Sequence, residues 1–141
     1  MKQEPFIIER TYHATPEKVW KALTDKDEMK EWYFNIESFE PKVGFEFTFE
    51  AGNEDKRYKH ICKITDVEPG KKLRYSWRYE GVEGISFVTF ELFPEGGSTK
   101  VKLTHEGLES FKTDHPDFKR ESFMGGWTFI LGTSLKNYIE K

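Results

Sequence analysis

Between Pro116 and Lys141 apolar residues recur at Phe123, Trp127, Leu131, Leu135 and Tyr138, in steps of four, four, four and three. That spacing lays one apolar stripe along a long helix. From about residue 43 to residue 106 the pattern is instead alternation, the period of strands that bury one face. A chain that lays down a sheet and closes with an amphipathic helix must bury the helix stripe against the concave face of that sheet. Such a pairing often leaves a cavity between the two layers, so a ligand-holding domain is the first function to consider.

At 141 residues the chain reads as a single domain, 1–141, and a chain of that size buries roughly 70% of its unfolded surface without a disulfide or metal staple. Twenty-two basic and 25 acidic residues give a net charge of -3, which predicts solubility and no pull on nucleic acid. Cys62 has no second cysteine to pair with and reads as an inert buried thiol. The opening residues lack the apolar core of a signal peptide, and no apolar run approaches the ~18 residues of a membrane span. The expectation is a cytoplasmic protein with no membrane insertion.

Phe6–Tyr12 reads as a first strand. Thr15 followed by Pro16 reads as a helix start, with Val19, Trp20 and Leu23 as its apolar face. Asp25 with Glu28 suggests a capping box on a second short helix carrying Met29 and Trp32. Alternation then places Phe45, Phe47 and Phe49 on one face, and Tyr58, His60, Cys62 and Ile64 on the inner face of the next strand, where Ile61 falls on the wet side. A turn is expected at Gly52–Asp55 and another at Pro69-Gly70. Leu73, Tyr75, Trp77 and Tyr79 face in, with Lys72, Arg74, Ser76 and Arg78 facing out. After Gly81–Gly84 the inner residues are Val88, Phe90 and Leu92, with Phe87 on the opposite face. After the turn at Pro94–Ser98 they are Val101, Leu103 and His105. The expected architecture is α+β: six or seven antiparallel strands, two short early helices and one long late helix. Gly125, Gly126 and Gly132 inside that helix each lose roughly 1 kcal/mol relative to alanine. Close approach of helix to sheet, or a bend at the pocket mouth, would account for them.

The sequence carries no glycine-rich phosphate loop, no His-Glu-x-x-His pair and no Gly-x-Ser-x-Gly elbow. Its histidines at 13, 60, 105 and 115 have no metal-ligand spacing. No catalytic residue, metal or cofactor is assigned. The inferred wet sheet face mixes charge signs, unlike an oligonucleotide platform. Inside, His60 and His105 accompany the hydroxyls of Tyr58, Tyr75 and Tyr79. A buried imidazole must meet a protein partner or a ligand. Trp32, Phe47, Phe49, Tyr75, Trp77, Phe90 and Trp127 can either fill the space between sheet and helix or line an apolar pocket with a few polar anchors.

The first strand followed by Ala14-Thr15-Pro16-Glu17-Lys18-Val19-Trp20, then Trp32, resembles the first third of the START-like (SRPBCC, Bet v 1-like) superfamily. More narrowly, the chain resembles the family named after the activator of heat-shock protein 90 ATPase. Gly44-Phe45-Glu46-Phe47, Leu73-Arg74-Tyr75-Ser76-Trp77, Leu103-Thr104-His105-Glu106-Gly107 and Gly126-Trp127 extend the resemblance from about residue 6 to 140. It implies a helix-grip fold, an antiparallel sheet around a long C-terminal helix with a cavity between. The superfamily includes lipid carriers, polyketide cyclases and drug-binding resistance proteins; the narrower family includes a domain of a chaperone regulator active in the stress response.

The leading reading is therefore a non-enzymatic protein that binds a small hydrophobic ligand. Trp32, Phe47, Tyr75, Trp77, Phe90 and Trp127 would form the walls, and His60 and His105 would orient a polar end. Two other readings stay open. One is a protein that contacts a chaperone through its surface. The other is a cyclase- or hydratase-type enzyme with His60 or His105 as general base, which needs a carboxylate or tyrosine within hydrogen-bond reach.

Overall fold

The computed structural model describes residues 5–33, 36, 38–52, 57–111 and 120–140. Six strands form one antiparallel sheet in the order β1-β6-β5-β4-β3-β2. They are β1 (Phe6–Tyr12), β2 (Glu46–Gly52), β3 (Arg57–Glu68), β4 (Lys72–Tyr79), β5 (Val82–Glu95) and β6 (Ser98–Glu106). Strands β2 to β6 meander in sequence order, and β1 pairs with the last strand, Phe6 opposite His105 and Tyr12 opposite Thr99. Two helices, α1 (Pro16–Thr24) and α2 (Lys26–Trp32), connect β1 to β2. This is the sheet and helix order that the sequence predicts, with six strands. The turn expected at Gly52–Asp55 falls largely outside the described residues, as do His115 and the segment before Arg120.

Both early helices start as their sequences dictate. The Thr15 hydroxyl accepts from the Lys18 amide at 3.3 Å, with Pro16 next in the first turn. The Asp25 carboxylate accepts from the amides of Asp27 and Glu28 at 2.9 and 3.4 Å. Glu28 does not return the cap. The Asp25 amide bonds to the Lys21 carbonyl, and the Glu28 carboxylate accepts from the Tyr138 hydroxyl at 2.9 Å. On α1 the buried face is Val19, Ala22 and Leu23, with Trp20 half-buried.

Period-two burial is clearest in β6, where Thr99, Val101, Leu103 and His105 are all buried. In β4, Ser76 keeps its outward place, opposite Phe87 in the ladder, yet is buried there, its hydroxyl accepting from the Lys63 amide beside the bulge at Ile64/Asp66. Phe87, on the outer face, lies under the Arg74 guanidinium at 4.3 Å from its ring centre, and Arg74 also pairs with Glu106 at 3.1 Å. Cation–π contact explains an aromatic residue on that face.

Strand β5 begins at Val82, so Gly84 is a strand residue rather than part of the turn. Its φ is +128°, and a Cβ there would lie 2.5 Å from the Ser110 carbonyl oxygen. Only glycine allows the 3-10 turn Leu108–Ser110 to press against the strand. The Ser110 hydroxyl fixes the contact by accepting from the Ile85 amide at 2.8 Å and donating to its carbonyl at 2.6 Å.

The closing helix comprises α3 (Arg120–Phe129), a π segment (Ile130–Leu135) and α4 (Lys136–Ile139). Its buried stripe is Phe123, Trp127, Leu131, Leu135 and Ile139, in uniform steps of four; Tyr138, the expected last member, is half-buried. At 3.6 residues per turn, each step of four overshoots a full turn by roughly 40°, so a plain α-helix would rotate this stripe off the sheet. The wider π turn takes the rotation back. The Tyr12 hydroxyl donates to the Leu131 carbonyl inside that segment at 2.7 Å, and the Lys18 ammonium donates to the Ile139 carbonyl at 2.9 Å. Close approach of helix to sheet does not account for the helix glycines. A Cβ at Gly125 or Gly126 would meet nothing within 4 Å, and one at Gly132 only the Arg10 side chain at 3.6 Å. None of the three is required by close approach of helix to sheet.

Candidate functional site

All eight residues singled out in the sequence lie in one contiguous aromatic layer between sheet and closing helix. Trp127, from α3, tilts against Trp77 at 5.6 Å and meets Phe90 edge-on at 6.0 Å. Phe47 and Phe90 flank Tyr75 at 5.1 and 6.2 Å. His60 lies parallel to Phe49 at 4.5 Å and edge-on to Trp77 at 4.9 Å. Trp32 joins through Tyr33, stacked at 5.0 Å, which in turn lies parallel to Trp127 at 6.0 Å.

His105 is fully buried, and both its ring nitrogens have partners. The Trp127 indole N–H, which can only donate, points at Nδ1 from 2.9 Å. Nδ1 therefore accepts, and the proton sits on Nε2. That N–H donates to the Ser86 hydroxyl at 2.8 Å, and Ser86 donates to the Trp77 carbonyl at 3.1 Å. The series ties the closing helix through β6 and β5 to β4, with each hydrogen directed at an acceptor. Burial lowers the imidazole's pKa to about 3. An imidazole whose lone pair is already bonded to an indole N–H is held neutral and has no site for a substrate proton.

His60 takes the opposite tautomer. Its Nδ1 is 3.0 Å from the Tyr58 carbonyl, which only accepts, so Nδ1 carries the proton. Burial lowers its pKa to about 4, opposed by its bonds to the backbone of Tyr58 and Phe49. The Trp77 indole donates to the Tyr79 hydroxyl at 2.8 Å, and the Trp32 indole to the Ala22 carbonyl at 2.8 Å. Cys62 is buried, and burial pushes its thiol pKa well up, so it stays a thiol.

Two residues of this layer were not singled out from the sequence. Ser86 lies opposite Trp77 in the ladder, and continuing the alternation back from Val88 would have placed it inward. Tyr33 stands just beyond α2, where no periodicity marks it; its hydroxyl lies 2.9 Å from that of Tyr75. Burial raises the pKa of both phenols well above the usual range.

Among the described residues the buried polar side chains are His60, Ser76, Ser86, Thr99 and His105, with no carboxylate or cation among them. No group of histidine, cysteine or carboxylate side chains among the described residues is arranged to hold a metal. No described helix is long and apolar enough to cross a membrane. A surface groove of about 520 Å³ lies elsewhere, between the start of α1, the β3–β4 turn and the end of β5. It is lined by residues such as Pro16, Pro69, Lys72 and Phe93 and includes none of the eight.

An antiparallel sheet gripping a C-terminal helix over an aromatic layer defines the helix-grip, Bet v 1-like class of START-like proteins. Within it, the chain belongs to the family described as Activator of Hsp90 ATPase homolog 1-like protein, whose model matches residues 13–140. Among solved structures it is similar to MLL2253 from Mesorhizobium loti, at 28% identity and a TM-score of 0.78 over 97% of each chain. It is similar to CalU16 from Micromonospora echinospora, at 26% identity and a TM-score of 0.72 over 96% of this chain and 75% of that one. DynU16, from the dynemicin biosynthetic locus, shares the fold at 19% identity and a TM-score of 0.81. This chain, 99% covered, spans about half of DynU16, 48% of its length. No curated protein matches the chain.

Proposed function

We propose that the protein binds a small hydrophobic molecule between the sheet and the closing helix, as a non-enzymatic carrier or sequestering protein in the cytoplasm. The observation that carries this reading is the aromatic layer itself. Indoles and phenols from α2, β4 and α3 converge there with Tyr33, and the polar groups among them are neutral hydroxyls and imidazoles rather than charges. Large rigid rings around a few oriented polar atoms are the usual composition of a small-molecule site. Membership of a family within the START-like class supports the same reading. His60 and the Tyr75 hydroxyl are the groups proposed to orient a polar end, while His105 acts through the position of Trp127. The test is native mass spectrometry on protein purified gently from its own host, with extraction of any co-purifying compound. A defined bound species is expected, and Trp77→Ala should weaken its binding more than Arg78→Ala, since Arg78 is exposed. A clean apo mass, with no rise in melting temperature across a hydrophobic panel, sinks the proposal.

A second reading, contact with a chaperone of the kind in the family's description, draws on the outer face of α3. Met124 and Phe129 are 38% and 61% exposed there. Phe129→Ser should abolish recovery of a chaperone on immobilised protein, and a pull-down without any chaperone rejects this reading.

A further inference from the structure

Tyr33 differs from every wall residue around it. Trp32, Tyr75 and Trp127 are buried, and each belongs to a helix or strand. The Trp32 and Trp127 indoles are additionally fixed by bonds to the Ala22 carbonyl and to His105. Tyr33 is half-buried and stands just past the end of α2, with φ -120° and ψ -109°, outside the helical region. Its ring is nevertheless inserted in the layer. It lies parallel to Trp32 at 5.0 Å and to Trp127 at 6.0 Å, and tilts on Phe49 at 5.7 Å. Its hydroxyl meets that of Tyr75 at 2.9 Å. Rotating this side chain out breaks the bond to Tyr75 and the ring contacts, whereas the bond that closes α2, from the Tyr33 amide to the Met29 carbonyl at 2.7 Å, is made by the backbone. What remains is a slot with indole faces on two sides and the Tyr75 hydroxyl at its end.

We propose that this slot receives an uncharged aromatic molecule bearing a hydroxyl, and that the Tyr33 side chain occupies the ligand's place until it is displaced. The inference rests on the cavity reading above and names its ligand class. The chemistry that Tyr33 satisfies is the chemistry the ligand must reproduce: a flat ring between two indoles and a hydroxyl hydrogen-bonded to Tyr75. A carboxylate or phosphate head would be stranded, because no cation is buried among the described residues and both nearby imidazoles are held neutral. Fatty acids and phospholipids are therefore disfavoured against neutral phenols of similar apolar area.

The test titrates 2-naphthol, 2-naphthoate and dodecanoate at neutral pH into the wild type, Tyr33→Ala, Tyr33→Phe and Tyr75→Phe. Quenching of the tryptophans that flank Tyr33 reports occupancy, and urea midpoints report folding. Only 2-naphthol should bind the wild type. Tyr33→Ala should tighten it by about tenfold, because no ring must leave, and Tyr75→Phe should weaken it by about tenfold through loss of the hydroxyl partner. Should Tyr33→Ala fail to fold, Tyr33→Phe, which keeps the ring but loses the bond to Tyr75, must still tighten binding measurably. Equal binding of 2-naphthoate or dodecanoate would overturn the ligand class and leave the cavity reading standing. Unchanged affinity in both Tyr33 variants would overturn the placeholder role. Binding of none of the probes to any variant overturns this inference alone, since native mass spectrometry of host-purified protein decides the cavity reading independently.

Discussion

Around His105 and around Tyr33 the same materials, aromatic rings and neutral polar atoms, are assembled to opposite effect. At His105 an indole, an imidazole, a hydroxyl and a carbonyl form a fully buried series in which donors and acceptors match. Any change of protonation or rotamer leaves a buried polar atom without its partner, which costs about 1–3 kcal/mol. At Tyr33 two phenols share a bond at the edge of the layer, and one of them belongs to no regular element. Satisfaction of polar atoms thus makes one region a fastener and leaves the other able to exchange its occupant. The contrast also separates His105 from the acid–base role considered in the sequence, because its lone pair is bonded to the Trp127 indole and its N–H to Ser86.

The strongest challenge to the fastener is acid. Unfolded, each imidazole has a pKa near 6.5; folded, His60 and His105 lie at about 4 and about 3. Between these values the unfolded chain binds more protons, so stability falls as pH drops below 6.5 and levels off only below the folded pKa values. By pH 5 the loss should be roughly 2 kcal/mol per histidine. Urea midpoints from pH 7.5 to 4.5 measure it, and a flat profile would refute the burial of neutral imidazoles. Next in size, Trp127→Phe keeps a ring but removes the donor to His105, and should destabilise by about 2–3 kcal/mol. Ser86→Ala should cost about 1–2 kcal/mol at the other end of the series, and the double mutant should lose less than the sum if the two act as one unit. At the Tyr33 edge, Tyr33→Phe should lower stability by no more than about 1 kcal/mol. An effect as large as that of Trp127→Phe would erase the distinction between the regions. Smallest of all, Arg74→Ala on the outer sheet face should cost less than about 1 kcal/mol, since its pair with Glu106 is solvent-exposed in part.

The elements with local signals were legible. The caps at Thr15 and Asp25, the alternation of β4 and β6, and the inward position of His105 follow from residue type and period alone. What escaped depended on geometry that no short window contains. The closing helix was read with an α-helical last step to Tyr138, whereas the buried residue is Ile139, because a uniform step of four is possible only where the helix widens. Gly84 resembled turn punctuation but serves the approach of the Ser110 carbonyl from a later segment. Ser86 escaped because its strand was begun too late. Tyr33 had no pattern to reveal it, since its place in the layer is set by where α2 stops. All eight candidate residues were found in one layer, yet the sequence could not distinguish those bonded into the fastener from those beside an exchangeable phenol.

The pairing of β1 with β6 bears on how the chain is made. As synthesis proceeds, β3 to β6 can each add to the strand just completed, but Phe6–Tyr12 has no strand partner until Thr99–His105 has left the ribosome. Throughout that interval the apolar side chains of Phe6 and Ile8 and the backbone of their strand are available to any other open edge. The protein's most vulnerable moment therefore comes before its own C-terminal helix exists, and its first strand is among the last to find its place.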